Sequence, residues 1–310
     1  MRIGLIDVDS KIPNLALMKL SAYHRDRGAE VVFPYDGSRV DRLCASVIFT
    51  KNRRRAELLQ EAWPQVEIGG TGWDLTTALP PAVESCRPDY DLYGIDYGIG
   101  FTSRGCIRRC PFCVVPEKEG HVKPVATIPE LVNPKGNFLV LLDGNFLAQS
   151  EWEARMCEIH DLNLTVNFSQ GLDIRLINEE NAVWLARTKT ASLAGNPSGR
   201  LHFAWDNPAI EKAVREGIAT LGRAGIKPWR LTFYMLCGFY TTFEQDMYRF
   251  EVLRGLGCDP YVMVYGIGTP ELLRFERWVN ARIYKQCSWE EYGPNLKHRG
   301  EMRFDLEVSK

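Results

Sequence analysis

The sequence predicts an α/β protein in which an N-terminal Rossmann-like parallel sheet is followed by a partial (β/α)6 barrel of the TIM type. Two observations predict this fold: short apolar runs with β-branched residues, and stretches of helical periodicity that separate them almost to the end of the chain. A length of 310 residues is enough for about two domains. We expect a Rossmann-like domain over 1–90, a barrel over 91–290 and a C-terminal tail over 291–310.

The first ninety residues alternate between strand and helix candidates. Arg2–Val8 is a short apolar run typical of a buried parallel strand, and Asn14–Gly28 follows with apolar residues at helical spacing. The proline-rich stretch Leu79–Pro88 indicates a linker. The other candidates are strands at Ala29–Phe33 and Ala45–Phe49 and a helix at Arg54–Trp63, after which Val66-Glu67-Ile68 leads into a glycine-rich stretch.

From Tyr97 the alternation restarts, and it supplies the elements of the predicted barrel. The strand candidates are Gly98–Thr102, Phe138–Leu142, Leu164–Ser169, Leu201–Trp205, Leu231–Leu236 and Tyr261–Tyr265. The helix candidates are Glu151–Asp161, Asn178–Thr188, Ala209–Ala224, Thr242–Leu256 and Pro270–Gln286. Because functional groups in parallel α/β folds gather at the carboxyl ends of strands, we examine the residues that follow each run.

Composition and charge exclude several classes of protein. The 38 basic and 39 acidic residues give a net charge of -1, which offers no general attraction to nucleic acid or to an anionic membrane. No apolar run approaches the ~18 residues that a membrane span needs, and Met1 leads directly into a strand candidate. The nine cysteines are odd in number and unevenly spaced, which argues against a secreted disulfide scaffold. We therefore expect a cytoplasmic protein.

Three cysteines are concentrated in one short segment after the first strand candidate of the barrel. Cys106, Cys110 and Cys113 have the spacing C-x3-C-x2-C. In a reducing compartment this spacing indicates a metal site, either zinc or an iron–sulfur cluster. A closed site of either kind normally uses four protein ligands, so three local cysteines leave one metal position for a ligand that is not protein.

This motif, placed between a strand and a series of β/α units, resembles that of the radical SAM superfamily, in which an aromatic residue such as Phe112 precedes the third cysteine. The resemblance implies that Cys106, Cys110 and Cys113 hold a four-iron, four-sulfur cluster whose fourth iron binds S-adenosylmethionine (SAM). It implies reductive cleavage of SAM to a 5′-deoxyadenosyl radical, with a low-potential electron donor such as a flavodoxin or ferredoxin. The substrate is not readable from the sequence, and a nucleic acid remains among the candidates.

The N-terminal region extends the resemblance to members that carry a cobalamin-binding domain. Gly100-Phe101-Thr102-Ser103-Arg104-Gly105 is similar to the leader found in those members, and Gly69-Gly70-Thr71-Gly72 is similar to the end of the cobalamin domain. The axial-histidine motif is missing after Asp7, so the domain either binds cobalamin without that ligand or has lost cobalamin and holds substrate or acts as a lid. Of these alternatives we expect loss, and hence a degenerate domain. A cobalamin-dependent radical methyltransferase and a non-catalytic iron–sulfur or zinc protein are the alternative hypotheses.

The resemblance also implies roles for polar residues that follow the strand candidates. Asp143 and Asn145 are placed where family members contact the SAM amino group, although a tight turn also favours Asp-Gly-Asn. Polar residues at alternate positions from 167 to 175, interrupted by Gly171, indicate an extended segment facing a ligand channel. The predicted cofactor-binding residues are Phe112 beside the adenine, Asp143, Asn145, Asp173, Arg175 at the SAM carboxylate, and Asp206 at a ribose or substrate group.

Overall fold

The structure, a computed structural model, describes residues 1–293 apart from 36, 196 and 198. It is an α/β protein built on three parallel sheets and one short antiparallel pair of strands. The predicted alternation of strands and helices is therefore confirmed. Within these residues no helix is both long enough and apolar enough to cross a membrane. Residues 294–310 of the predicted tail lie outside the described residues.

The first sheet contains four parallel strands in the order β2-β1-β3-β4. Its elements are β1 (Arg2–Asp7), α1 (Leu15–Asp26), β2 (Glu30–Val32), β3 (Arg42–Ser46), α2 (Arg53–Ala62) and β4 (Glu67–Gly69). The strand order reverses between β1 and β3, because β2 lies on one side of β1 and β3 on the other. Such a reversal is where parallel sheets usually bind ligands, outside the carboxyl ends of the strands.

Helix α1 contacts two sheets. Asn14 caps its N terminus by accepting a hydrogen bond from Leu17 N. Leu17 packs with residues of the first sheet, including Ile3, whereas Met18 packs with Ile99, a residue of the second sheet. The helix therefore lies between the two sheets and is covered on both faces.

Short elements connect the first sheet to the remainder of the chain. They are α3 (Pro81–Glu84), β5 (Gly98–Gly100), β6 (Ser103–Arg104), α4 (Val115–Lys118), β7 (Lys123–Pro124) and α5 (Ile128–Leu131). Strands β6 and β7 form the antiparallel pair, with Ser103 opposite Pro124 and Arg104 opposite Lys123. The predicted linker Leu79–Pro88 thus contains a short helix that begins at Pro81.

The remaining elements form the other two parallel sheets and the helices that cover them. They are β8 (Phe138–Leu141), α6 (Trp152–Asp161), β9 (Thr165–Phe168), α7 (Glu179–Arg187), β10 (Lys189–Thr190), β11 (Leu201–Ala204), α8 (Glu211–Arg223), β12 (Leu231–Cys237), α9 (Phe243–Gly255), β13 (Asp259–Val264) and α10 (Pro270–Asn280). One sheet has the order β10-β9-β8-β5 and the other β11-β12-β13. A parallel bridge between Leu172 and Phe203 links them, with Leu172 N donating to His202 O at 2.7 Å.

Three boundaries differ from the sequence-based expectation. Strand β3 ends at Ser46 instead of Phe49, because the Asp9 carboxylate accepts the N–H groups of Ile48 and Phe49. Helix α10 ends at Asn280, two residues before Arg282, which has a left-handed φ of 58°. The third difference lies in the segment after β9, which contains two of the predicted site residues.

The predicted extended segment from 167 to 175 is wrong beyond Phe168, where β9 ends. Gly171 adopts a φ of 81°, a conformation that favours glycine, and Ile174–Leu176 forms a 3₁₀ turn. The alternation of polar residues therefore does not continue along one strand. Asp173 instead caps the turn by accepting a hydrogen bond from Arg175 N.

Candidate metal centre

The cysteine loop lies between β6 and β7, and this strand pair closes its base. Gly105 begins the loop with a φ of 84°, and a side chain there would come within 2.3 Å of His121 O. Cys106 N donates to Gly120 O at 3.2 Å across the loop. The close approach of the two ends explains why glycine precedes the first cysteine.

The three cysteines of the loop line one cavity of about 410 Å³, together with Pro116, Glu117 and His121 among others. Cys113 N donates to Cys110 O at 3.0 Å, which turns the loop so that its second and third cysteines approach each other. In the described part of the chain, no three His, Cys, Asp or Glu side chains are gathered as a ready site for one metal ion. A cluster differs from a single ion because each thiolate binds a different iron, so the sulfurs need not converge on one point.

The sulfur of Cys106 receives polar contacts suited to a thiolate. Arg108 N lies 3.3 Å from Cys106 Sγ, and Asn145 Nδ2 lies 3.7 Å from it. Burial raises the pKa of the Cys110 thiol, and the neighbouring cysteines raise it further, whereas Arg175 acts in the opposite direction. Hydrogen bonds to cluster sulfurs and nearby cations are the means by which proteins stabilise iron–sulfur clusters. The donor set therefore fits a three-cysteine cluster.

Asp143 binds the residues that directly precede the cysteine loop. Its carboxylate accepts hydrogen bonds from the backbone N–H and hydroxyl groups of both Thr102 and Ser103, at 2.5–3.1 Å. Burial raises the pKa of Asp143 despite these bonds. The Asp143 carboxylate thus joins the segment that follows β8 to the segment that follows β5. Its contact with the SAM amino group stays a prediction.

Asp173 ties the cysteine loop to the turn after β9. Its carboxylate accepts Arg108 Nε at 2.8 Å, and it also pairs with Arg175, whose Nε and Nη2 lie at 2.7 and 3.0 Å. Burial alone would raise the pKa of Asp173, but the hydrogen bonds from Arg175 and Arg108 outweigh it, and the pKa is lowered. One carboxylate therefore orients two arginines, of which Arg108 belongs to the cysteine loop itself.

Asn145 contacts both the first cysteine of the loop and Asp173. Its Nδ2 lies 3.4 Å from Asp173 Oδ2, in addition to its contact with Cys106. The residue is 3% exposed, and its Oδ1 has no hydrogen-bond partner in the structure. Because a buried carbonyl oxygen without a donor is unfavourable, this atom is suited to accept a hydrogen bond from a bound group.

Asp206 and Phe112 border the centre on the side of the third parallel sheet. Asp206 Oδ1 accepts the N–H of Leu236 at 2.8 Å, and burial raises the pKa of its carboxyl. Phe112 makes an edge-to-face contact with Phe239, with ring centroids 5.4 Å apart. The structure thus brings Cys106, Asn145, Asp173 and Arg175 into one connected set, places Asp143 behind it, and leaves the contacts of Phe112 and Asp206 with a bound group as predictions.

A buried ion pair near Asp206 was not predicted from the sequence. Asp246 and Arg249 on α9 pair at 2.6 Å, and both side chains are fully buried. Arg249 also donates to Trp205 O, directly after β11, and to Leu236 O, near the end of β12. The pair therefore fixes the carboxyl ends of two strands. The i, i+3 spacing of an acid and a base on a helix with a buried face is the sequence signal that could have indicated it.

The corresponding edge of the first sheet does not fit a histidine-ligated corrinoid. Gly70 and Gly72 pack against the chain itself: a side chain at either would lie 2.2 Å from Val47 O or 2.6 Å from Phe49 C. Asp9, in the position after β1, accepts Ile48 N, Phe49 N and Asn52 Nδ2 at 2.7–2.9 Å. The glycines are thus explained by close approach of the backbone, and the expected degenerate cobalamin-binding domain stays a prediction.

A scan against protein-family models and a search of the curated proteins returned no match to this chain. Its chemistry must therefore be inferred from the cysteine loop and the residues that surround it.

Proposed function

We propose that this protein is a radical SAM enzyme. The observation that carries the proposal is that Cys106, Cys110 and Cys113 lie in one loop, between β6 and β7 and shortly after the parallel strand β5, and line a single cavity. Their number leaves one metal position for an exchangeable ligand, which structural metal sites do not normally offer. A cluster held by these three cysteines would supply one electron to SAM, which would break the bond between sulfur and the 5′ carbon and give methionine and a 5′-deoxyadenosyl radical.

We further propose that β5, β8, β9, β11, β12 and β13 form a partial (β/α)6 barrel. All their described pairings are parallel, and the bridge between Leu172 and Phe203 joins the sheet that contains β9 to the sheet that contains β11. Helices α6, α7, α8 and α9 intervene between successive strands. The cysteine loop then follows the first strand of the barrel, at the end where such folds place their functional groups.

Each neighbouring residue has a role that its contacts support. Arg108 N and Asn145 Nδ2 hold the sulfur of Cys106, and Asp173 sets the position of Arg108. The unpartnered Oδ1 of Asn145 would accept from the SAM amino group, which is a donor. Arg175 would meet the SAM carboxylate. Phe112 would pack beside the adenine and Asp206 would contact a ribose or substrate group.

Reduction of the cluster requires an external low-potential electron donor, for which we propose a flavodoxin or a ferredoxin in the cytoplasm.

Of the alternatives, a cobalamin-dependent methyltransferase has no support from the closed edge of the first sheet. A non-catalytic iron–sulfur or zinc protein is distinguished by experiment, because only an enzyme of the proposed kind would convert SAM.

Anaerobic reconstitution tests the proposal. The protein is supplied with iron and sulfide, reduced in the presence of SAM, and analysed for 5′-deoxyadenosine by mass spectrometry. We expect about four irons per chain and formation of the nucleoside. Purified protein that retains zinc, or a reconstituted cluster that leaves SAM intact, would contradict the proposal.

A further inference from the structure

A group of basic and aromatic side chains lies at the carboxyl edge of the first sheet. We call it the basic-aromatic patch; it contains Lys11, Phe49, Lys51, Arg53 and Trp73. Lys11 belongs to the loop after β1, Phe49 and Lys51 to the loop after β3, and Trp73 follows β4. The patch therefore lies at the reversal of strand order between β1 and β3, where parallel sheets bind ligands.

The interior of this edge is filled, so the patch is a surface and not a crevice. Asp9 accepts three donors from the loop after β3, and the backbone of Phe49 occupies the space beside Gly72. A small buried cofactor has no room between these loops. What the edge presents to solvent is the ring of Phe49, which is 38% exposed.

Two ammonium groups flank this ring. Lys11 Nζ lies 5.9 Å and Lys51 Nζ 5.8 Å from the ring centroid of Phe49. Across the described residues neither lysine forms a salt bridge, so neither charge is neutralised by a neighbouring carboxylate. Both ammonium groups lie within cation–π distance of one exposed ring, so the surroundings of the ring carry positive charge that attracts an anion.

The next aromatic residue repeats the arrangement. The Arg53 guanidinium lies 5.0 Å from the Trp73 ring and donates to Trp73 O at 3.0 Å. Arg53 also opens helix α2, whose first turn carries three arginines and no acidic residue. Arg53 and Arg54 both form salt bridges with Glu57, so the positive charge of the patch that is not compensated by a carboxylate comes from Lys11 and Lys51.

The patch adjoins the cysteine loop. Lys118, which ends α4 within that loop, donates its Nζ to Asp74 O, next to Trp73. A partner bound along the patch would therefore lie close to the candidate metal centre. Binding at the patch does not itself require the metal.

We infer that the basic-aromatic patch binds single-stranded nucleic acid, with a base stacked on Phe49 and phosphates paired with Lys11 and Lys51. Exposed aromatic rings interleaved with basic side chains are the combination by which proteins bind single strands without sequence preference. An acidic protein would use the charges but would leave the ring without a stacking partner. Phosphodiester and base are shared by RNA and DNA, so both belong to the test.

The experiment measures fluorescence anisotropy of labelled RNA and DNA single strands of about 12 nucleotides with the full chain, over a range of salt concentrations. Phe49→Ala should weaken binding about tenfold, the loss of one base stack. Lys11→Gln with Lys51→Gln should reduce the slope of log affinity against log salt by about 1.4, since each phosphate contact on a single strand contributes about 0.7. Lys212→Gln with Lys227→Gln, on and after α8, is the matched control and should leave the slope unchanged.

Four results would overturn the inference. These are an absence of binding up to about 100 µM protein at low salt, an equal loss in the control variant, unchanged binding by Phe49→Ala, and displacement of the oligonucleotide by polyglutamate at an equal concentration of charges. The last result would identify an acidic-protein site. Circular dichroism and thermal melting of each variant separate loss of binding from loss of folding. Preferred binding of RNA or of DNA identifies the source of the ligand and supports the inference in either case.

Discussion

At the carboxyl edges of two sheets, an aspartate accepts backbone N–H groups from the segment that follows a neighbouring strand, but only one of the two edges leads into a cavity. After β1 an aspartate, Asp9, accepts backbone N–H groups at the exit of the neighbouring strand β3, and after β8 Asp143 does the same at the exit of β5. At the first edge the glycines 70 and 72 let the loops meet, and the edge is closed. At the second edge the chain leads into the cysteine loop, and a cavity remains. The carboxylate at each edge therefore does not determine whether a cavity forms there. That depends on the loops that follow the strands.

The largest expected difference between the edges concerns metal. Cys110→Ala should abolish the visible absorbance of the reconstituted cluster and all formation of 5′-deoxyadenosine, because two thiolates are too few to hold a four-iron, four-sulfur cluster. Cys157→Ala, in helix α6, is the matched control and should retain both. Absorbance spectra and nucleoside analysis measure the outcome, and normal nucleoside formation by Cys110→Ala would exclude the ligand assignment.

The two anchoring aspartates should differ in their contribution to stability and to metal content. Asp143→Ala removes a buried acceptor of four donors and should lower the free energy of unfolding by about 3 kcal/mol, together with iron content after reconstitution. Asp9→Ala should lower stability by about 1.5 kcal/mol and leave iron content unchanged. Urea unfolding and iron assays compare the two variants. Equal iron contents would mean that Asp143 does not support the cysteine loop.

A side chain added to the closed edge should disturb the first sheet alone. Gly72→Ala places a Cβ 2.6–2.8 Å from the backbone of Phe49, so the loops must separate, at about 2 kcal/mol. Gly222→Ala, at a helical glycine with open space around it, is the control and should be neutral or stabilising. Thermal melting measures both, and an unchanged melting temperature for Gly72→Ala would show that the edge is not tightly closed.

The smallest expected effect depends on pH. The pKa of Asp173 is lowered in the folded protein, so its ion pairs stabilise the fold above the ordinary aspartate pKa of about 3.9, and this contribution is lost as the pH falls through the lower folded value. Asp173→Asn should therefore cost about 1.5 kcal/mol near pH 7 and progressively less below pH ~4. Unfolding curves across this range measure the difference. Asp161→Asn, at the exposed end of α6, provides the control, and a difference independent of pH would contradict the assignment.

Local pattern was sufficient for most elements and for the cysteine loop. The apolar run at Arg2–Val8 and the helix after Asn14 lie within one or two residues of β1 and α1, because burial on one face leaves a regular spacing in the sequence. Errors occurred where a distant group alters the backbone. Strand β3 was displaced because Asp9, some forty residues away, takes the N–H groups of Ile48 and Phe49. The segment after Phe168 is not extended as expected, because Gly171 turns the chain toward β11.

Local patterns in the sequence are enough to indicate the alternation of strands and helices, the group of three cysteines, and the polar residues that follow each strand. That Asp173 joins Arg108 to Arg175, that Asn145 lies beside Cys106, and that α1 packs between two sheets depends on contacts between distant parts of the chain. The two kinds of information differ in range along the chain. Periodicity and turn chemistry act over a few residues, whereas the partner of a buried carboxylate or amide is set by which strands become neighbours.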